Sequence, residues 1–287
     1  MKKYKGFLFS IISSAAFGIG PSFAKIAYSN GSNPTSVLMF RFLIATIILF
    51  GYLMFNKINI KVSRKQFIML FIIGILGYTI TTQTLFVSYV YLDMGLATTL
   101  HFTYPVIICV FSFFVYKEKI SRPKLFSIIL AGFGVYSLIA FEDQKLNTLG
   151  VVLSLISGLT YAITVIGLGL KPIKPLDNKI ATMYVSFGAF LGLLIYGLFD
   201  KSIILEYNTP IVLSYFGIAI ISTILPIVLL LKSIEMIGAT SATILSTFEP
   251  IVSILFGIIL FGEQLTFALI LGMVFIILSA IILAKGK

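Results

Sequence analysis

Residues 245 to 265 read LSTFEPIVSILFGIILFGEQL, an apolar stretch with one mid-length carboxylate, Glu249, set beside Pro250. About ten residues into a helix, at ~1.5 Å per residue, a side chain lies ~15 Å deep, near the centre of a ~30 Å hydrocarbon layer. A lone carboxylate there costs at least ~2.5 kcal/mol, so it must be protonated, paired or in contact with water. The chemistry open to Glu249 is therefore binding of a proton or of a cationic group; the alternative is a structural carboxylate hydrogen-bonded to neighbouring helices. Pro250 adds polarity by leaving the carbonyl of Ser246 without its helical donor. An earlier stretch, residues 100 to 120, reads LHFTYPVIICVFSFFVYKEKI and puts Tyr104-Pro105 where Glu249-Pro250 stands. Thirteen residues after each proline comes a glutamate, Glu118 or Glu263, and three further on a hydroxyl residue, Ser121 or Thr266. The hydroxyls read as N-caps and the two glutamates as parts of rigid helix joints. Two Pro-interrupted apolar segments at matching places in two halves mark the binding site of a membrane carrier.

Other residues carry polarity into apolar runs. His101 and Tyr104 share a helix face with Thr98 and Pro105. His101 is the only histidine, and it reads either as a substrate or proton contact or as a packed, satisfied ring. Arg41 lies about seven residues inside its run and is expected to pair with a carboxylate, of the protein or of a substrate. Lys25 is expected to snorkel to the outer headgroups. Gly20-Pro21 interrupts the first run, so Pro21, Pro105 and Pro250 are the expected helix breaks and hinges. Gln83 sits in an unusually polar patch from Thr79 to Thr84, and its amide needs several partners. Tyr161, between Ser157 and Thr164, is a further candidate contact. Small and hydroxyl residues also let helices pack closely, which is the reading of Gly188 and Gly192.

Membrane helices must position these groups. The 287 residues are 59% hydrophobic and 11% charged, with mean hydropathy +1.10, whereas an ordinary soluble domain is roughly 25% charged. Apolar runs reach the ~20 residues that cross a bilayer. Ten spans are predicted, near 6–28, 34–55, 66–91, 95–116, 123–141, 148–170, 179–199, 210–232, 239–261 and 265–284. The first run has no cleavage motif and is retained as a span. The net charge of +11 does not indicate nucleic acid, because the basic residues sit in short connections beside apolar runs. With the N-terminus in the cytoplasm, 17 of the 21 Lys and Arg fall on the cytoplasmic side and only Lys145 and Lys201 outside. Both termini are thus expected in the cytoplasm and the chain in the plasma membrane. Cys109 is the single cysteine, so no intrachain disulfide forms. Five spans per half make the second half enter the membrane inverted. Gly6-x3-Ser10-x2-Ser13-x3-Phe17 returns as Gly150-x3-Ser154-x2-Ser157-x3-Tyr161, an offset of 144 residues. The expected fold is an all-α integral membrane protein of ten helices in two inverted five-helix repeats, 1–145 and 146–287, with a site between them.

No enzyme constellation is present: there is no His-rich metal set, Gly-x-Ser-x-Gly, Walker-type loop, cysteine pair or pair of intramembrane aspartates. No enzyme activity, cofactor or metal is expected. The segments MGLATTLHFTYPVIICVFSFFVYKEKIS and GATSATILSTFEPIVSILFGIILFGEQLT resemble the paired repeats of the drug/metabolite transporter superfamily, EamA-like branch, and NPTSVLMFRFLIA resembles the start of that family's second helix. The resemblance implies a central cavity and alternating access. No Lys/Arg pair lies deep in the last two spans, so phosphorylated substrates are disfavoured. The expected function is a secondary transporter exporting a small polar or zwitterionic metabolite such as an amino acid, with a proton as candidate coupling ion. Glu249 and Arg41 would meet an ammonium and a carboxylate, with Tyr104, His101, Gln83 and Tyr161 as further contacts. Two alternatives stay open: an uncoupled facilitator, and a non-transporting membrane assembly or sensory subunit. The expected partners are a small-molecule substrate and the lipid bilayer, with no nucleic acid and the oligomeric state open.

Overall fold

The computed structural model describes residues 2–116, 121–141, 146–173, 175–205 and 207–285. Among the described residues, ten helices are long and apolar enough to cross a membrane. They are α1 (Lys2–Gly18 and Gly20–Ser29), α2 (Pro34–Phe55), α3 (Arg64–Tyr91), α4 (Met94–His101 and Tyr104–Tyr116) and α5 (Arg122–Ala140). The second half holds α6 (Thr148–Leu168), α7 (Asn178–Phe199), α8 (Thr209–Ile237), α9 (Ala239–Ser246 and Phe248–Phe261) and α10 (Phe267–Lys285). Side chains such as Phe114, Phe199 and Ile259 are exposed on the outer surface, where lipid would cover them.

Local chemistry sets the helix ends. Asn33, Asn147, Asp177 and Asn208 accept backbone N–H groups at the starts of α2, α6, α7 and α8. Ser63 and Gln66 form a reciprocal capping box before α3. Thr266 accepts the N–H of Leu269 at the start of α10. Breaks interrupt α1 at Ile19, α4 at Phe102 and Thr103, and α9 at Thr247. Each falls two or three residues ahead of Pro21, Pro105 or Pro250, because proline is tolerated in the first turn of a new helix segment and not inside a continuous one. Two short stretches wind as π-helix, Ile73–Tyr78 in α3 and Ile220–Ile224 in α8.

Packing follows the repeat. Helix α1 lies against α8 and its counterpart α6 against α3, while α2 packs on α7, α4 on α9 and α5 on α10. Exchanging the halves maps this set of pairs onto itself, as inverted repeats require. The two ends of the bundle differ in chemistry. At one, Tyr184 of α7 bonds the carbonyl of Ile60 in the basic connection 56–63, and Gln66 of α3 bonds that of Pro172 in the basic connection 169–177. At the other, Asn33 and Asn208 tie the connections 30–33 and 200–208.

Candidate functional site

A cavity of about 510 Å³ lies between the halves. Its wall includes Arg41 from α2, Tyr78 and Thr82 from α3, His101 and Tyr104 from the break in α4, Tyr161 from α6, Thr223 from α8 and Glu249 from α9. Eight lining side chains carry rings: Phe17, Phe42, Tyr78, Phe86, Tyr89, His101, Tyr104 and Tyr161. The cavity reaches exposed Asn178 and half-buried Ile234, at the end that holds the basic connections.

Arg41 is anchored by a neighbouring helix that its own sequence does not reveal. Its Nε donates to Thr223 Oγ1 at 2.8 Å, and its Nη2 reaches the carbonyl of Ser222 at 3.5 Å. Pro226, four residues on, has no N–H to offer that carbonyl. The rings of Phe42 and Phe86 lie 5.3 and 5.6 Å from the guanidinium carbon, within cation–π range. Pro21 likewise frees the carbonyl of Phe17, which accepts the Ser222 hydroxyl at 3.4 Å.

Glu249 sits one residue before Pro250, in the first turn of the second α9 segment. Among the described residues no hydrogen bond reaches its carboxylate, and no ion pair within 4.0 Å joins it to Arg41. Helix α1 runs so near that a Cβ on Gly18 would meet the Glu249 carbonyl at 2.5 Å. His101, Tyr104 and Tyr161 form one ring cluster, with centroids 5.7, 5.3 and 4.8 Å apart. His101 Nδ1 lies 2.8 Å from Ser157 Oγ, and Ser157 gives its only proton to the carbonyl of Ser154. With that proton on Ser154, Nδ1 is assigned as the donor to Ser157.

The far end of the site is closed. Lys25 does not snorkel to headgroups: its Nζ pairs with Glu263 Oε1 at 2.6 Å, with the side chains 18% and 6% exposed. A nearby carboxylate outcompetes a longer reach to water. Glu263 also accepts the backbone N–H of Met94 at 2.9 Å and of Gly95 at 3.4 Å, at the start of α4. One side chain thus gathers α1, α4 and the α9–α10 connection. Below it, hydroxyls of Tyr89, Thr98 and Ser253 link in sequence to the carbonyl of Met94. A second cavity of about 360 Å³, lined by Lys25, Asn147, Glu263 and Gln264, lies beyond and shares no residue with the first.

Gln83 is not part of the cavity wall. Its amide nitrogen donates to Thr35 at the start of α2, because the polar patch on α3 turns partly toward α2 and partly toward the site. Glu118 lies outside the described residues. The reading of the chain alone missed Ser222, Thr223 and Pro226, although a polar pair ahead of a proline was the same signal that singled out α9. Among the described residues no cluster of His, Cys, Asp and Glu is arranged to hold a metal ion.

Comparison with known proteins places this architecture. The model of the EamA-like transporter family matches twice, over residues 4–140 and 148–285. A protein of Clostridium kluyveri named an uncharacterized transporter is 25% identical over 97% of this chain and 92% of its own. The uncharacterized transporter YcbK of Bacillus subtilis is 23% identical over 93% and 88%. An uncharacterized transporter of Archaeoglobus fulgidus is 25% identical over 96% and 98%. A crystal structure of a protein 12% identical aligns over 98% of this chain and 95% of its own with a TM-score of 0.67, a likeness of fold. With two matched repeats that together span nearly all of it, the chain belongs to the EamA-like transporter family and is a multi-pass membrane transporter with two inverted five-helix repeats.

Proposed function

We propose that this transporter exports a small zwitterionic metabolite, such as an amino acid, by alternating access of the repeats 1–145 and 146–287, with Glu249 as the binding site of a coupling proton. One observation carries the reading: a base from the first half, Arg41, and an acid from the second, Glu249, line one cavity without pairing within 4.0 Å. In a site that excludes lipid and holds few charges, two unpaired opposite groups suit an ammonium and a carboxylate on one small molecule. The ring cluster of His101, Tyr104 and Tyr161 supplies apolar and cation–π contact for the rest of the cargo. In the plasma membrane, with the basic connections and both termini in the cytoplasm, the cavity loads from the cytoplasm. The Lys25–Glu263 pair then closes the outer end.

The test is efflux from liposomes loaded with labelled amino acids, with and without a proton gradient directed inward. Acid outside is expected to speed efflux by the wild-type protein, since the proton enters as cargo leaves. In Glu249→Gln that acceleration should vanish, and in Arg41→Ala cargo binding should be lost while the protein stays folded. If Glu249→Gln transports like wild type at every pH, Glu249 is not the proton site. Flux that ignores the gradient in the wild type would instead identify a facilitator. No flux, with a partner that stays bound through purification, would identify an assembly subunit.

A further inference from the structure

Thr223 stands in a π-helical turn, and its hydroxyl is used in an unusual way. Its Oγ1 donates to the carbonyl of Ile218, five residues back, at 2.9 Å. Threonines in ordinary turns of this chain bond four residues back, as Thr46 does to Phe42 and Thr99 to Gly95. The wider winding of residues 220–224 makes the longer reach possible. A hydroxyl has one proton, so the bond to Ile218 fixes the rotor and leaves a lone pair aimed at the incoming Nε of Arg41. Thr223 is 4% exposed and Ser222 3%, so both partners of the guanidinium are buried.

The guanidinium is therefore held by Thr223 on Nε, by the Ser222 carbonyl on Nη2, and between the rings of Phe42 and Phe86. These bonds use two of its five N–H donors. A planar fork fixed along its Nε–Nη2 edge keeps the Nη1–Nη2 end, with two parallel N–H donors, for a carboxylate taken with two bonds. Fixing a long side chain beforehand also removes ordering cost from the binding step. We infer that Thr223 is a positioning residue that sets the Arg41 fork for the carboxylate of the cargo, and so determines selection of zwitterions over simple amines. This rests on the reading of Arg41 as the carboxylate contact.

The probes are L-phenylalanine and 2-phenylethylamine, which share a ring and an amine and differ by the carboxylate; the ring suits a wall with eight ring-bearing side chains. Binding is measured by calorimetry on the full chain in lipid nanodiscs, with melting temperature recorded for each variant. Thr223→Val, close in shape and without the hydroxyl, is expected to weaken L-phenylalanine about tenfold and leave 2-phenylethylamine unchanged. Thr223→Ser should restore wild-type selectivity, which a purely structural defect would not predict. Equal loss for both probes, or no loss for either, overturns the inference. Loss in Arg41→Ala without loss in Thr223→Val removes the positioning role and keeps the Arg41 contact. If the wild type and Arg41→Ala bind L-phenylalanine alike, or neither binds it, the carboxylate reading of Arg41 itself fails and the inference with it.

Discussion

The two π-helical turns are copies of one device put to different uses. Thr79 in α3 and Thr223 in α8 are separated by 144 residues, the offset of the repeat. Each closes its turn on the carbonyl five residues back, Gly74 or Ile218. In the first half the Thr79 hydroxyl also approaches the carbonyl of Ala189 at 3.3 Å, so α7 lies directly on the turn. Gly188 and Gly192 allow this: a Cβ on Gly188 would come within 3.1 Å of Gly74 Cα. In the second half the matching residues on α2 are Ile44 and Ile48, too large for that contact, and where α7 carries Val185, α2 carries Arg41. The guanidinium bridges α2 to the turn in α8 and lines the cavity. One half thus spends its turn on a tight crossing and the other on holding a charge. The same division recurs at Tyr104 and Glu249, where the first copy offers a ring and the second an acid. Inverted repeats fix the scaffold, and departures from the repeat place the polar groups.

Breaking the tight crossing should have the largest effect. Gly192→Ile would set a Cβ 2.9 Å from the carbonyl of Ile75, and is expected to cost about 3 kcal/mol or to prevent folding. Loss of the monodisperse peak in size-exclusion chromatography, or a lowered melting temperature, checks it. Ile48→Leu at the matching place should leave both unchanged, because α2 does not touch its turn so closely. Next comes Arg41→Val, which gives the second half the residue of the first. Cargo binding is expected to fall about a hundredfold, ~2.7 kcal/mol, from loss of a charge-assisted contact. Val185→Ala, which also trims the cavity wall, should change L-phenylalanine affinity by less than twofold. A Val185 variant as damaging as Arg41→Val would mean that cavity shape, and not charge, selects the cargo.

Much of this was legible from residue types. Ten apolar runs, the Pro-to-Glu spacing and the 144-residue echo gave the helices and their inverted arrangement, because bilayer thickness imposes length and polarity on every span. Proline gave the breaks to within three residues. What the chain alone could not show was which polar groups meet. Lys25 read as a headgroup contact because Glu263 lies 238 residues away, and only the fold brings them within 2.6 Å. Gln83 read as a site residue because a strand of hydroxyls on α3 spans two faces, and periodicity does not say which face meets α2. The π-turns left no local signature: Ile220–Ile224 is as apolar as its surroundings apart from Ser222 and Thr223. Comparing Thr79 with Thr223 at the repeat offset would have raised both.

A smaller effect than that of Gly192→Ile or Arg41→Val is expected at Thr79, and it discriminates most sharply between the two turns. Thr79→Val removes the donor to Gly74 and Ala189 and keeps the shape of the side chain. Two backbone carbonyls lose one shared partner in a buried site, which should cost about 1 kcal/mol of stability. Melting temperature should therefore fall by about as much as in Thr223→Val, since each variant removes one buried hydroxyl from one π-turn. Selectivity should not: no charged side chain leans on Thr79, so the preference for L-phenylalanine over 2-phenylethylamine stays at the wild-type value. Equal stability loss with unequal selectivity loss would separate the packing role that both threonines share from the positioning role that only Thr223 holds. If Thr79→Val relaxes selectivity as well, the turns act on the cavity through the shared movement of the halves, and the Arg41 contact is a consequence of that geometry and not its cause.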